Sequence, residues 1–522
     1  MNRQENLNWI DAHPEDWDVI IIGGGATGLG TAVDAAARGY KTVLFEQADF
    51  AKGTSSRSTK LIHGGVRYLK QGNIALVVEA LHERGTLIRN APHLVHHLAF
   101  VVPNYSWWEG PFYGIGLKLY DMLAGELGLG PSHILSREET LQRIPTVEKK
   151  GLQRGVIYFD GQFDDARLAI CLAHTATDLG ARLVNYCRVV GLVKQDGMVR
   201  GVRVKDEMEG RLFQVEGKVV INATGAFSDQ VRQMDEPTAQ PVIRPSQGIH
   251  LVLDRRFLPG DSAIMVPHTD DGRVLFAVPW HNRVLVGTTD TPMDRTPLEP
   301  CPLAEEIDFL LEHAARYLAI DPRPEDVLSC FAGLRPLVGT GDAQDTASLS
   351  RDHTILVSTA GLVTIAGGKW TTYRKMAQDV VDQAALVGCL QSAPSRTRHL
   401  PLHGYLKDVD PESPRSVYGS DWGKIEALMK EDASLAEPLH PRLPYLKAEV
   451  VWAVREEMAC TVEDVLARRT RALLLDARAA LDAAPMVADL MARELGQDEQ
   501  WRACQLKAMD ALVSRYLIDQ SC

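Results

Sequence analysis

An apolar run from Asp18 to Ile22 ends in Gly23-Gly24-Gly25, small and apolar residues then recur at helical spacing from Ala26 to Arg38, and a second apolar run spans Lys41 to Phe45. That order predicts strand, tight turn, helix and strand. Two later runs follow the same logic: Lys218 to Ala223 leads into Thr224-Gly225, and Leu362 to Ala366 leads into Gly367-Gly368. Parallel strands that end in neighbouring glycines converge on one ligand. Alternating patterns at Val274 to Val278 and Arg283 to Gly287 predict antiparallel strands of a second domain that covers the substrate. After the Ser-, Pro- and Arg-rich stretch Gln391 to His399, the chain from Leu446 to Leu517 is rich in Ala, Leu, Glu and Arg, which predicts a separate helical domain. No internal repeat or low-complexity segment interrupts this order.

Composition narrows the class. With 522 residues, 45% hydrophobic and 24% charged, the chain has the makeup of a globular protein with two or three cores. A formal net charge of -12 argues against nucleic acid, whose phosphates need a basic footprint. An anionic ligand must therefore be met by local arginines and lysines. The eight cysteines are scattered without a CxxC pair, so neither a metal cage nor a disulfide framework is signalled, and a reducing compartment is expected. Met1 to Trp17 is polar and acidic, unlike a secretory leader, and no stretch approaches the roughly 18 apolar residues of a spanning helix. Neither secretion nor a membrane span is expected.

The turn reads Gly23-x-Gly25-x-x-Gly28, with Ala26 and Thr27 opening the helix. In such a turn the first glycine permits the bend, the second lets backbone approach a pyrophosphate, and the third allows close helix-to-strand packing. The helix N-terminus then faces the phosphate charge. Glu46, ending the next strand, is placed to accept hydrogen bonds from an adenosine ribose. Thr54-Ser55-Ser56-Arg57-Ser58-Thr59-Lys60 adds hydroxyls and cations where an extended dinucleotide would continue. The fingerprint leaves NAD and FAD both open.

At Lys60-Leu61-Ile62-His63-Gly64-Gly65-Val66-Arg67-Tyr68-Leu69 the sequence closely resembles the flavin-dependent glycerol-3-phosphate dehydrogenases. The resemblance continues through Asn222-Ala223-Thr224-Gly225, Gly248-Ile249-His250, Val286-Gly287-Thr288-Thr289-Asp290, Ala332-Gly333-Leu334-Arg335-Pro336-Leu337, Ser350-Arg351-Asp352 and Gly367-Gly368-Lys369-Trp370-Thr371-Thr372-Tyr373-Arg374. In the tail, Thr461-Val462-Glu463-Asp464 with Arg468-Arg469-Thr470-Arg471 resembles the family's helical C-terminal domain. The resemblance implies an α/β fold with a discontinuous Rossmann-like FAD-binding domain of the glycine-oxidase type, a mixed-sheet substrate-binding domain and a helical C-terminal domain. The expected boundaries are 1-98, 150-235 and 350-390 for FAD, 99-149 and 236-349 for the substrate domain, and 391-522 for the helical domain.

The implied activity is oxidation of sn-glycerol 3-phosphate to dihydroxyacetone phosphate by hydride transfer to flavin N5, with electrons passed to a quinone pool or another acceptor. That reaction needs a dianion clamp, a base and a hydride acceptor. FAD, held without a covalent link, is the acceptor. Arg67, Arg335 and Lys369 are the clamp candidates, since arginine offers phosphate a fork of donors and lysine a compact charge; Tyr68 and Thr371 add hydroxyls. His63 and His250 both suit the base, with His250 favoured and His63 alternatively packed against the flavin. Backbone amides after Gly367-Gly368 are placed to stabilise charge on the reduced ring. Ser56, Leu61, Gly64, Val189, Gly333 and Trp370 complete the cofactor set expected with the glycine turn, Glu46, Thr54, Ser55, Lys60, His63, Ala223, Thr224, Gly225, Gly367, Gly368, Lys369 and Thr371.

Arg351 is explained by a salt bridge as readily as by substrate. The aromatic run Trp107 to Tyr120 fits core packing better than membrane docking, because no basic face accompanies it. The partner expectations are glycerol 3-phosphate, a peripherally contacted membrane surface and a second copy of the chain. The expected location is cytoplasmic, on the inner face of the cytoplasmic membrane where it meets lipid. Two rival activities keep the flavin: a glycerol-3-phosphate oxidase that uses oxygen, and an amine oxidase of the amino-acid oxidase kind.

Overall fold

Trp17–Ile22 is the centre of a mostly parallel sheet. The computed structural model describes residues 1–65, 73–106, 109–125, 128–267, 269, 274–339, 352–410, 413 and 415–518, with backbone alone for 109–113, 115 and 124. In this sheet the strands lie in the order His353–Val357, Val363–Gly367, Leu212–Asn222, Trp17–Ile22, Thr42–Phe45 and Arg182–Val184. All neighbours are parallel except His353–Val357, which runs antiparallel to Val363–Gly367. Side chains of Val19, Ile20 and Ile21 are fully buried, as a sheet covered on both faces requires. Helices Ala26–Ala37, Asp165–Asp178 and Tyr373–Val387 pack together through a shared apolar cluster with Val19 and Ile221. The three glycine-ended strands therefore finish side by side, as the hydrophobic pattern predicts.

The second sheet is mixed and larger, with ten strands. Ile243–Asp254 pairs antiparallel with both Arg283–Gly287 and Val327–Val338, and the sheet continues through Leu275–Trp280 and Ser262–Val266. Beyond Ser262–Val266 it recruits Val95–Asn104, Arg154–Phe163 and Leu61–Ile62. The sheets thus do not divide where the sequence suggested. Leu61–Ile62, residues 95–98 and Arg154–Phe163 were expected with the cofactor domain, yet their ladder partners lie in the second sheet. Strand pairing is a long-range choice that local alternation does not encode.

Beyond residue 391 the chain is helical, with Trp422–Glu431, Lys447–Glu456, Ala477–Leu495 and Glu499–Val513 sharing one apolar cluster. Asp464–Arg469 forms a π-helix, a form that concentrates at functional positions. No helix among the described residues is long and apolar enough to cross a membrane. Among the described residues six cysteines are free thiols, whereas Cys301 is disulfide-bonded, a pairing that the spacing did not signal because it depends on distance in space.

Candidate active site

The glycine turn opens onto a cavity of about 460 Å³ between the ends of the parallel strands. Gly23 has φ +108°, and a Cβ there would lie 2.7 Å from the Ala223 carbonyl oxygen. A Cβ on Gly28 would lie 1.8 Å from the Gly23 carbonyl oxygen, so the third glycine seats the helix on the turn and does not itself line the cavity. The Ala26 amide at the helix start donates to Ser55 Oγ at 2.9 Å. Glu46 receives the Gly24 and Ala48 amides at 2.6 and 3.0 Å, and burial pushes its carboxyl above the ordinary range.

Gly23, Gly25, Ala26, Thr27, Glu46, Thr54, Ser55, Val189, Ala223, Thr224, Gly225, Gly367, Gly368, Lys369 and Trp370 all line this cavity. Gln47, Lys52, Gly53, Arg188, Val190 and Gln230 line it too. Only their proximity to Glu46, Thr54, Val189 and Gly225 in sequence could have marked them. Trp370 donates from Nε1 to the Ser55 carbonyl at 2.9 Å, tying the Gly367-Gly368 turn to the hydroxyl-rich loop.

Several residues expected at the cofactor make contacts of their own outside the lining of this cavity. Lys60 is fully buried; its ammonium donates to Asp165 Oδ2 at 2.7 Å and to the Ser56 carbonyl at 2.8 Å, and burial lowers its pKa to about 7. An ion pair in the interior satisfies this charge, so Lys60 does not reach the cavity. Ser56 is buried and gives its carbonyl to Lys60 and Arg471. Leu61 is buried in a strand, and the Gly64 amide donates to the Tyr120 hydroxyl at 2.8 Å. Gly333 lies against Arg57, where a Cβ would sit 3.0 Å from that residue's own Cβ. Thr371 donates to the His63 carbonyl at 3.3 Å. None of Leu61, His63, Gly64, Gly333 and Thr371 lines the cavity.

Beside the cavity, Ile243–Asp254 and Val327–Val338 present one continuous face. Ser246 opposes Arg335, Gly248 opposes Gly333, and His250 opposes Phe331. In an antiparallel pair these alternate positions share a side. The next residue after Arg335, Pro336, lines the same cavity as Lys369. Arg335 donates to Thr288 Oγ1 at 2.9 Å and to Asp290 Oδ1 and the Gln247 carbonyl, both at 3.3 Å. A Cβ on Gly248 would lie 2.3 Å from the guanidinium, so only glycine lets the fork pass over that strand. His250 is 2% exposed, stacked on Phe331 with centroids 5.1 Å apart, and its Nε2 lies 2.9 Å from Thr59 Oγ1. Burial, then the charges of Lys60 and Arg335, hold its pKa well below the ordinary value. The ring is therefore neutral at physiological pH, the state from which a base must start. Arg67, Tyr68 and Arg351 lie outside the described residues, as do Trp107 and Trp108. Tyr120, at the end of the aromatic run, is buried and donates to Asp160 at 2.8 Å, which is core packing.

The C-terminal arginines close the site from behind. Arg468 and Arg469 both bind Asp49, and Arg471 donates to Asp165 at 3.0 Å. Lys52 pairs with Glu463. The cavity-lining loop that follows Glu46 is thus held by the helical domain.

Comparison with known proteins places the chain in a family. Residues 18–374 match the family model described as FAD dependent oxidoreductase, and residues 361–502 match that of the C-terminal domain of alpha-glycerophosphate oxidase. The human mitochondrial glycerol-3-phosphate dehydrogenase is 42% identical over 527 residues, spanning 94% of this chain and 72% of that protein. The chain belongs to the FAD-dependent glycerol-3-phosphate dehydrogenase family. A solved family structure, the Bacillus halodurans glycerol-3-phosphate dehydrogenase complexed with FAD, superposes with a TM-score of 0.80 at 29% identity and covers 99% of this chain and 98% of that one. The FAD-bound L-alpha-glycerophosphate oxidase of Mycoplasma pneumoniae shares the fold, with a TM-score of 0.58 at 20% identity over 73% of this chain and 96% of that one.

The residues present fit FAD: a glycine turn in which a Cβ on Gly23, Gly24 or Gly28 would clash, a carboxylate at the next strand end, and a second glycine pair facing them across one cavity. Gly28→Ala is expected to yield folded protein with at least roughly tenfold weaker FAD affinity, because the overpacked helix must lift off the turn. The ratio of flavin to protein absorbance after gel filtration measures it; a normal ratio would show that the turn can yield.

Proposed function

We propose that this family member oxidises sn-glycerol 3-phosphate to dihydroxyacetone phosphate and passes the electrons to a membrane quinone. The observation that carries the reading is the sheet face on which Arg335 and His250 stand on either side of the Gly248–Gly333 pair beside the cofactor cavity. A guanidinium there suits a phosphate dianion, and a neutral imidazole suits a secondary hydroxyl. Arg335 is proposed to bind the phosphate, with Lys369, Arg67 and Tyr68 completing the clamp and Thr371 bracing the His63 turn. His250 takes the C2 hydroxyl proton, while His63 orients the cofactor ring. Bound FAD supplies the two-electron acceptor for the hydride that leaves C2. Gly23, Gly25, Ala26, Thr27, Glu46, Ser55 and the Gly367-Gly368 turn would hold it.

Quinone is proposed as the acceptor because the helix that buries Tyr120 in the core also carries apolar side chains turned to solvent, where a membrane-dissolved acceptor can be met. On helix Glu109–Ala124, Leu119 is 42% and Met122 78% exposed, and Ile134 beside that helix is 47% exposed. Such side chains suit the lipid interface on the inner face of a membrane. Anaerobic mixing of the purified protein with glycerol 3-phosphate is expected to bleach the oxidised flavin band, and a short-chain ubiquinone is expected to restore it faster than air does. An unbleached band would sink the substrate assignment. Rapid oxygen uptake with peroxide release would make the protein an oxidase instead.

A further inference from the structure

We propose that Thr59 is a positioning residue that sets the tautomer of His250, leaving Nδ1 as the atom that accepts the substrate proton. The inference rests on His250 being the base and names the device that makes it one.

The imidazole is clamped on several sides. Phe331 stacks on one face at an interplanar angle of 20°. Gly287 pairs with His250 on the neighbouring strand, and a Cβ there would fall 2.2 Å from His250 Cδ2. The ring therefore has little freedom to turn over. Its Nε2 meets Thr59 Oγ1 at 2.9 Å, whereas Nδ1 is buried and has no hydrogen-bond partner among the described residues. A neutral imidazole carries one proton; at Nε2 the Thr59 hydroxyl oxygen can accept it, whereas at Nδ1 it would be a buried N–H with no acceptor, so the proton rests at Nε2. With Nε2–H donating to the Thr59 hydroxyl oxygen, the Nδ1 lone pair is left for the reaction. Once Nδ1 takes the C2 hydroxyl proton, both nitrogens carry hydrogen, and the Nε2–H bond to Thr59 becomes charge-assisted and stronger. Thr59 thus favours the protonated ring over the neutral one at the moment the proton moves.

The loop around Thr59 is built to hold that hydroxyl still. Ser58 donates to Asp165 from its amide at 3.0 Å and from its hydroxyl at 2.8 Å. Lys60 binds the same carboxylate, and Arg471 reaches its other oxygen. Asp165 is fully buried and starts helix Asp165–Asp178. The residues before and after Thr59 are therefore anchored to one fixed point, which gives Ser58 and Lys60 a role that cofactor contact does not.

The test uses holoenzyme labelled with ¹⁵N-histidine, with His250→Gln identifying the resonance. The parent is expected to show the Nε2–H tautomer, Thr59→Ser to keep it, and Thr59→Val to lose it for a mixture or for Nδ1–H. In anaerobic mixing, Thr59→Val is expected to slow flavin bleaching by glycerol 3-phosphate roughly ten- to hundredfold, the scale of one hydrogen bond to a charged group. Half-saturating substrate should hardly change, FAD should stay bound, and Thr59→Ser should recover most of the rate. An Nδ1–H tautomer in the parent, or a Thr59→Val protein with the parent's tautomer and rate, overturns the proposal. His250→Gln separates the two levels of the reading. If that variant bleaches at the parent's rate, His250 is not the base and the role of Thr59 falls with it; if it is slow while Thr59→Val is normal, only the Thr59 assignment fails.

Discussion

Arg335→Ala is expected to lower kcat/KM for glycerol 3-phosphate by roughly 10²–10³-fold, about 3–4 kcal/mol, while FAD stays bound. The guanidinium stands on the second sheet and donates to Thr288, Asp290 and the Gln247 carbonyl, none of which lines the cofactor cavity. Removing it deletes a forked donor pair and leaves the Asp290 carboxylate, which also accepts from Ser246, to repel an incoming phosphate. Arg335→Lys is expected to recover only part of the loss, because a point charge cannot span Thr288 and a phosphate oxygen together. Steady-state kinetics with flavin content measured in parallel decide it. Loss of flavin with activity unchanged per bound FAD would place Arg335 in cofactor binding.

The second large effect is on stability. Asp49→Asn is expected to cost about 3–5 kcal/mol in denaturant unfolding and to loosen FAD, because it removes the buried carboxylate that Arg468 and Arg469 share. Asp49 and the Arg468 and Arg469 side chains are each no more than 2% exposed, and Asp49 takes both Arg469 nitrogens, at 2.6 and 2.8 Å. Burial alone would raise the Asp49 pKa, but Arg469 and then Arg468 outweigh it and hold the carboxyl well below its usual range. Its contribution is therefore complete above the unfolded value of about 3.9 and disappears as pH falls through the folded value. Between pH 5 and 8 the deficit of the variant should be constant, and it should shrink only in strong acid. A deficit within about 1 kcal/mol would mean that the arginines find other partners, since Glu463 and Asp464 also bind Arg468.

How far the sequence could be read depended on the range of the interaction. The Gly23 to Gly28 turn and Glu46 were legible because the positive φ of Gly23, the contact of Gly28 with the Gly23 carbonyl and the bond from Gly24 to Glu46 all lie within one strand-helix-strand unit. The placement of Lys60 and Ser56 was not legible. Both sit in a hydroxyl-rich loop that resembles a cofactor contact, but the carboxylate and the guanidinium that claim them come from Asp165 and from Arg471, more than a hundred residues away. For the same reason Thr59 stood unmarked in that string, its meaning set by His250 across the sheet. Arg468, Arg469 and Arg471 were recognisable as a family pattern without any indication of what they hold. Arg154–Phe163 joined the sheet that local patterning did not choose, because alternation specifies a strand and leaves its partner open.

By itself the sequence determined the dinucleotide turn, its acidic neighbour, the helical tail and, through its resemblance to a family, the flavin and the class of substrate. Only the tertiary structure decided which cations pair in the interior, that Arg335 and His250 share one strand face, and that the C-terminal arginines grip the cofactor loop. The physical reason is that a turn is fixed by the steric limits of adjacent residues, whereas the use of a charge is fixed by whichever opposite charge folding buries beside it.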